Sequence, residues 1–84
     1  MYKNNMQVQR TINEEGFYNL AEAIILQAVK DYRYALRTLK KYTYSLESNK
    51  VKSNVERFFR SKWYSELTNI DGKILIKKLR EEVK

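Results

Sequence analysis

The 84-residue chain contains no cysteine, no histidine and no proline, and its two glycines are Gly16 and Gly72. Without cysteine or histidine there is no disulfide, no thiolate nucleophile, no imidazole base and no thiolate or imidazole metal ligand. A chain without cysteine also fits a reducing, intracellular setting. Residues 17–71 contain neither of the strong helix breakers, proline and glycine. These absences favour helix over most of the chain.

Long apolar runs and clustered carboxylates are lacking as well. The longest apolar run, residues 23–26, is far too short to span a bilayer, and the first 15 residues lack the apolar core of a signal peptide. We therefore expect a soluble protein that does not have a membrane as its partner. The ten acidic residues are scattered along the chain, whereas cleavage of a polyanion needs clustered carboxylates that hold metal ions. We expect no enzyme activity, no metal site and no cofactor.

Basic residues dominate what is present. Seventeen lysines and arginines against ten acidic residues give a formal net charge of +7, and hydrophobic residues make up 43% of the chain. The hydrophobic content is enough for the core of one small domain. The positive charge favours a polyanionic partner, such as nucleic acid, an acidic protein surface or an anionic membrane. The alternative is a surface that is basic only for solubility.

Apolar residues recur with the 3.6-residue period of a helix after Asn13, which with Glu14 and Glu15 looks like a helix start. The period predicts a first helix from about 14 to about 46, with a break at 45–50, "SLESNK", because serine and asparagine compete for backbone hydrogen bonds. Its apolar stripe comprises Phe17, Ala21, Ile25, Ala28, Tyr32, Ala35, Leu36, Leu39 and Leu46.

Two shorter helices are predicted to follow. The second carries Val51, Val55, Phe58 and Phe59 and ends near 68–69, and Asp71 caps the third. The predicted fold is all-α, a small three-helix bundle with one long N-terminal helix followed by a short helix–turn–helix-like pair. Residues 1–12 form a flexible N-terminal arm and residues 13–84 a single helical domain. The Asp71-Gly72 corner is not a calcium loop, because Leu67 and Lys78 then occupy the first and twelfth ligand positions.

Two basic surfaces are candidates for binding a partner. Cations alternate with tyrosines opposite the apolar stripe of the long helix, which suits contact with a phosphate backbone or an acidic protein surface. This first surface comprises Lys30, Arg33, Tyr34, Arg37, Lys41 and Tyr44. The second surface comprises Arg57, Arg60, Tyr64, Lys73, Lys77 and Arg80. Alternatively, both are merely solvated faces, and Ser53 with Glu56 is a capping box if the second helix starts later.

The helix–turn–helix reading has limits of its own. The last helix offers a basic stripe for phosphates, but no asparagine or glutamine on that stripe can read base edges. Sequence-specific DNA reading is therefore less favoured than backbone contact. A homodimer through the long helix is a further hypothesis, because two short helices cannot cover a helix of roughly 50 Å that carries apolar or tyrosine residues on two faces.

Two segments carry a resemblance to known proteins. The first is "QAVKDYR" at 27–33, and the second runs through "RFFRS" at 57–61, Trp63, "LT" at 67–68, "IDG" at 70–72, "LI" at 75–76 and "KLR" at 78–80. In these segments, over somewhat more than half its length, the chain resembles small proteins of Firmicutes phages and prophages.

The resemblance implies a context rather than an activity or a set of site residues. Small phage proteins of this kind are accessory regulators, factors of DNA metabolism or inhibitors of host defence, and they act in the cytoplasm of a bacterial host. We therefore expect a non-enzymatic phage-type accessory protein that binds nucleic acid or a nucleoprotein complex. The alternative is an inhibitor, similar to anti-CRISPR proteins, that binds a host defence protein directly. Mimicry of DNA is disfavoured because the chain is basic.

Overall fold

The computed structural model of the protein describes residues 14–83. This part of the chain folds into α1 (Glu14–Lys41), α2 (Leu46–Phe59), α3 (Lys62–Leu67) and α4 (Gly72–Glu82), without a strand. The predicted all-α bundle with a long N-terminal helix is thus confirmed, with four helices in place of three. The predicted arm at 1–12 lies outside the described residues.

The turn between α1 and α2 corrects the predicted break at 45–50. The chain leaves α1 after Lys41 and enters α2 at Leu46. Ser45 is the N-cap of α2, and its hydroxyl accepts a hydrogen bond from the backbone N–H of Ser48 at 3.2 Å. The serine that was expected to end a helix therefore starts one. Leu46, predicted to belong to the α1 stripe, is exposed at the first position of α2.

A second correction lies between α2 and α3, where one continuous helix was predicted. The chain bends at Arg60 and Ser61. The Ser61 hydroxyl donates to the carbonyl of Phe58 at 2.7 Å and accepts from the N–H of Tyr64 at 3.1 Å. One side chain thus closes the end of α2 and caps the start of α3. Ser53 lies inside α2, so the alternative capping box with Glu56 is wrong.

The corner before α4 forms as predicted. The Asp71 carboxylate accepts from the N–H groups of Lys73 and Ile74 at 2.8 and 3.3 Å, which is the expected N-cap. Gly72 is needed because α4 begins against the end of α2. A Cβ at this position would lie 1.9 Å from the carbonyl oxygen of Phe59. Only a residue without a side chain permits this approach.

The four helices share one core, which α2 builds mainly by folding back along α1. Its buried members are Val29, Tyr32, Val55, Phe59, Tyr64, Ile76 and Leu79. The Phe59 ring contacts the rings of Tyr32 and Tyr64 edge-on, with centroids 6.0 and 5.5 Å away. Residues 15–20 of α1 are exposed, Phe17 of the predicted stripe among them. No helix in the described part is both long and apolar enough to cross a membrane.

Candidate polyanion-binding surface

The first predicted surface exists as an exposed side of α1. Lys30, Tyr34, Arg37 and Lys41 lie opposite the buried Tyr32 and Ala35 and are all exposed. Tyr34 is 71% exposed, and Tyr44, in the turn after α1, is 94% exposed. From Lys30 to Lys41 the surface extends for about 16 Å at 1.5 Å per residue. We call these residues, with Arg33 and Tyr44, the basic–tyrosine face.

Arg33 marks the edge of the basic–tyrosine face. Its Nε donates to Glu82 Oε1 at 2.8 Å and its second guanidinium nitrogen donates to Glu82 Oε2 at 3.1 Å. This bidentate salt bridge joins α1 to the end of α4. The hydrogen bond from Arg33 lowers the pKa of Glu82, and the nearby charge of Arg37 lowers that pKa further. Arg33 therefore has an intramolecular task that the sequence pattern does not reveal.

The other cations of the face remain available. Lys30, Arg37 and Lys41 form no salt bridge with any residue in the range 14–83. All three are fixed to one rigid helix, so their spacing does not depend on a loop. Two exposed tyrosines add flat, weakly hydrated area between and beside the charges. This combination can bind several phosphates or carboxylates in a row.

The second predicted surface comes together only in part. Arg60 and Lys73 line one open cavity of about 480 Å³ at the α3–α4 corner, although thirteen positions separate them in the chain. Arg57 and Lys77 are exposed but do not line this cavity. Tyr64 is a correction, because it is 2% exposed and belongs to the core. Its ring packs against the rings of Phe58 and Phe59. Burial of this aromatic ring outweighs the hydration that its hydroxyl loses.

Arg80, also assigned to the second surface, is bound within the protein. Its guanidinium donates to Glu56 Oε2 at 2.6 Å and to the Tyr32 hydroxyl at 3.2 Å. The Tyr32 hydroxyl in turn donates to Glu56 Oε2 at 2.5 Å, and Lys52 Nζ lies 3.1 Å from the same oxygen. This network joins α1, α2 and α4, so Arg80 is positioned by folding and is not free for a partner.

Glu56 is the residue that sequence reasoning missed. Burial by itself raises the pKa of Glu56, but the hydrogen bonds from Tyr32, Arg80 and Lys52 outweigh burial and lower that pKa to about 2. Burial and the neighbouring carboxylate raise the pKa of Tyr32 to about 12. The one available signal was the position of Glu56 three residues before Phe59 on the buried side of α2. Three donors from three parts of the fold converge on one carboxylate oxygen of Glu56, which is the arrangement of a structural network.

Other features of the surface are apolar. A shallow cleft of about 390 Å³ between α1, α2 and α3 is lined by Ile24, Ala28, Val55, Phe58 and Trp63. Trp63 is 55% exposed, as is Leu20 of α1, which does not line the cleft. Among the described residues, no three acidic side chains come together as a set of metal ligands.

No protein-family model, curated protein or solved structure matches the chain. The resemblance to phage proteins therefore stays a prediction.

Proposed function

We propose that the chain is a non-enzymatic accessory protein, of the kind found in phages, that binds nucleic acid or a nucleoprotein complex through the basic–tyrosine face. The observation that supports this proposal is the exposure of Lys30, Arg37 and Lys41 on one rigid helix without salt bridges to other described residues. Each cation that meets a phosphate releases condensed counterions, which gives affinity without sequence reading. Tyr34 and Tyr44 can stack on bases wherever these are unpaired.

The first test is fluorescence anisotropy with labelled duplex DNA, single-stranded DNA and RNA over a salt series. Three phosphate contacts give a slope of about −2.7 in log affinity against log salt. The double substitution Arg37→Glu with Lys41→Glu should remove about two units of this slope. Both side chains are exposed, so helicity by circular dichroism should not change.

A matched control separates a binding face from simple net charge. The double substitution Lys50→Glu with Lys62→Glu changes the net charge equally, at exposed lysines of α2 and α3. It should retain most of the slope. Equal losses in the two double variants would contradict a dedicated face, and flat anisotropy traces at physiological salt would contradict nucleic-acid binding altogether.

The alternative is an inhibitor of a host defence system that binds a protein effector directly. The observation that favours it is the cleft lined by Ile24, Phe58 and Trp63, where Trp63 is 55% exposed. Aromatic anchors of this kind are typical of protein interfaces. This function predicts weak binding to naked nucleic acid and capture of one effector from host lysate. Trp63→Ala should abolish that capture, whereas Arg37→Glu with Lys41→Glu should leave it intact.

A further inference from the structure

The exposed side of α1 changes character halfway along the helix. Residues 14–29 include three glutamates and no lysine or arginine, whereas residues 30–41 include five cations and one aspartate. Leu26 lies in line with the basic–tyrosine face, is 51% exposed and borders a cleft that it shares with Leu67 and Ile70. The outer side of α1 therefore carries one glutamate and an exposed leucine toward its start, and three cations and a tyrosine toward its end. We call it the outer side, and it comprises Asn19, Glu22, Ala23, Leu26, Lys30, Tyr34, Arg37 and Lys41.

Apart from Glu22, these positions are arranged symmetrically about Lys30. Leu26 and Tyr34 lie four positions before and after it, and Asn19 and Lys41 lie eleven positions before and after it. Steps of four, seven and eleven residues keep side chains on the same side of an α-helix. A second copy that runs antiparallel, with the two Lys30 residues level, therefore places Leu26 of each copy against Tyr34 of the other.

The charges agree with the same arrangement. Arg37 lies seven positions after Lys30 and is therefore level with Ala23 of the other copy, so Glu22 of that copy lies one position away, within reach of Arg37 and Lys40. The small Ala23 allows the helices to approach closely at this level. The pair of Lys30 side chains on the axis is the one like-charge contact, and long exposed lysines turn apart into water.

We infer that two copies of the chain associate as an antiparallel, two-fold pair through the outer side of α1, and that this pairing competes with polyanion binding. Two-fold association uses the same patch on both copies, which the symmetry about Lys30 satisfies. The pair covers Tyr34, Arg37 and Lys41, so a phosphate backbone can reach these residues only after the copies separate. The competition rests on the proposed function, whereas the pairing stands independently of it.

The chain offers a matched test for the pairing. Leu20 and Leu26 lie on the same helix with similar exposure, 55% and 51%, but on different sides. Sedimentation equilibrium at low salt should show a monomer–dimer equilibrium that Leu26→Glu weakens by about tenfold or more. Leu20→Glu should leave it unchanged. A strict monomer at high micromolar concentration, or equal effects of the two substitutions, would overturn the pairing.

Charge substitutions then test the register. Glu22→Arg and Arg37→Glu should each weaken the dimer by about fivefold, and the double variant should restore it, because the two residues exchange sign across the interface. If the double variant does not recover the dimer affinity, the alignment of the two α1 helices about Lys30 is excluded. Lys30→Ala should strengthen the dimer by removing the contact on the axis and should lower the salt slope of polyanion binding by about 0.9.

Competition has its own readout. Unlabelled duplex DNA added to the dimer should produce a complex with one copy of the chain, measured by light scattering. DNA bound to an intact dimer would overturn the competition. A chain that binds DNA as a strict monomer refutes the pairing and leaves the proposed function standing. A dimer that does not bind DNA refutes the proposed function and leaves the pairing standing.

Discussion

Replacement of Glu56 by glutamine is the sharpest test of what holds the bundle together. Glu56 is 8% exposed, and one of its carboxylate oxygens receives Tyr32, Arg80 and Lys52 at 2.5, 2.6 and 3.1 Å. Glutamine has almost the same shape but carries no charge. Its amide nitrogen also cannot accept a hydrogen bond. Glu56→Gln therefore perturbs the network and leaves the packing of α2 unchanged.

The magnitude follows from the pKa of Glu56, which is about 2 in the folded protein against an ordinary value of 4.5. A difference of about 2.5 pKa units corresponds to about 3 kcal/mol of folding free energy. Because the folded-state pKa is lowered, this stabilisation is fully present above pH 4.5 and is lost as the pH falls toward 2. The loss of one partner from a buried charged network costs a similar amount, about 3 kcal/mol or more.

Urea unfolding followed by circular dichroism between pH 2 and pH 7 measures both effects. At pH 7 the free energy of unfolding of Glu56→Gln should be lower by about 3 kcal/mol, and the gap to the natural chain should close as the pH falls from about 5 to about 2. Glu66→Gln, at an exposed position in α3, serves as the control and should change neither quantity. If Glu56→Gln proves as stable as the natural chain at pH 7, or if the gap between them does not depend on pH, the network does not hold the helices together as described.

Four further substitutions test local features through their free energies of unfolding. Gly72→Ala should destabilise by about 1–3 kcal/mol although alanine favours helix, because its Cβ would lie 1.9 Å from the Phe59 carbonyl oxygen; a gain in stability would contradict the close approach. Ser45→Ala should cost about 1 kcal/mol and Ser53→Ala less than about 0.5 kcal/mol, because only Ser45 caps α2; the reverse order would restore the capping-box prediction. Tyr64→Phe should be neutral or stabilising by up to about 1 kcal/mol, because the buried Tyr64 hydroxyl has no hydrogen-bond partner among the described residues; a marked loss would mean that this hydroxyl has a partner.

The apolar period of α1 predicted three of the four side chains that are buried among its described residues and missed Val29, which is 7% exposed. Tyr32 and Ala35 are fully enclosed, and Ala21 is buried as well. The period fails at its two ends, at Phe17 and Leu46, because burial there depends on whether another helix lies opposite. The Asp71 cap was predictable from the sequence, because a cap is a local interaction between near neighbours in the chain.

Helix boundaries set by serine were harder to predict. A serine hydroxyl can compete with a helix or can cap one, and residue type does not decide between these roles. At Ser45 and Ser61 the outcome is capping, since each hydroxyl meets an N–H three residues ahead. Glu56 was missed for a related reason. Its neighbours in sequence do not explain its burial, because two of its donors come from α1 and α4.

The same dependence on tertiary partners divides residues that look equivalent in sequence. Arg33 and Arg37 lie one turn apart on α1, yet Glu82 holds Arg33 through two hydrogen bonds and Arg37 forms no salt bridge with the described residues. Reversal of charge at Arg33 would place two carboxylates together and loosen the contact between α1 and α4, so it would change stability and binding at once. Reversal at Arg37 changes an exposed surface and removes only a longer-range attraction to Glu82, so it should change the free energy of unfolding far less. A loss of affinity at Arg37 without a change in unfolding is therefore the observation that assigns binding to the basic–tyrosine face itself.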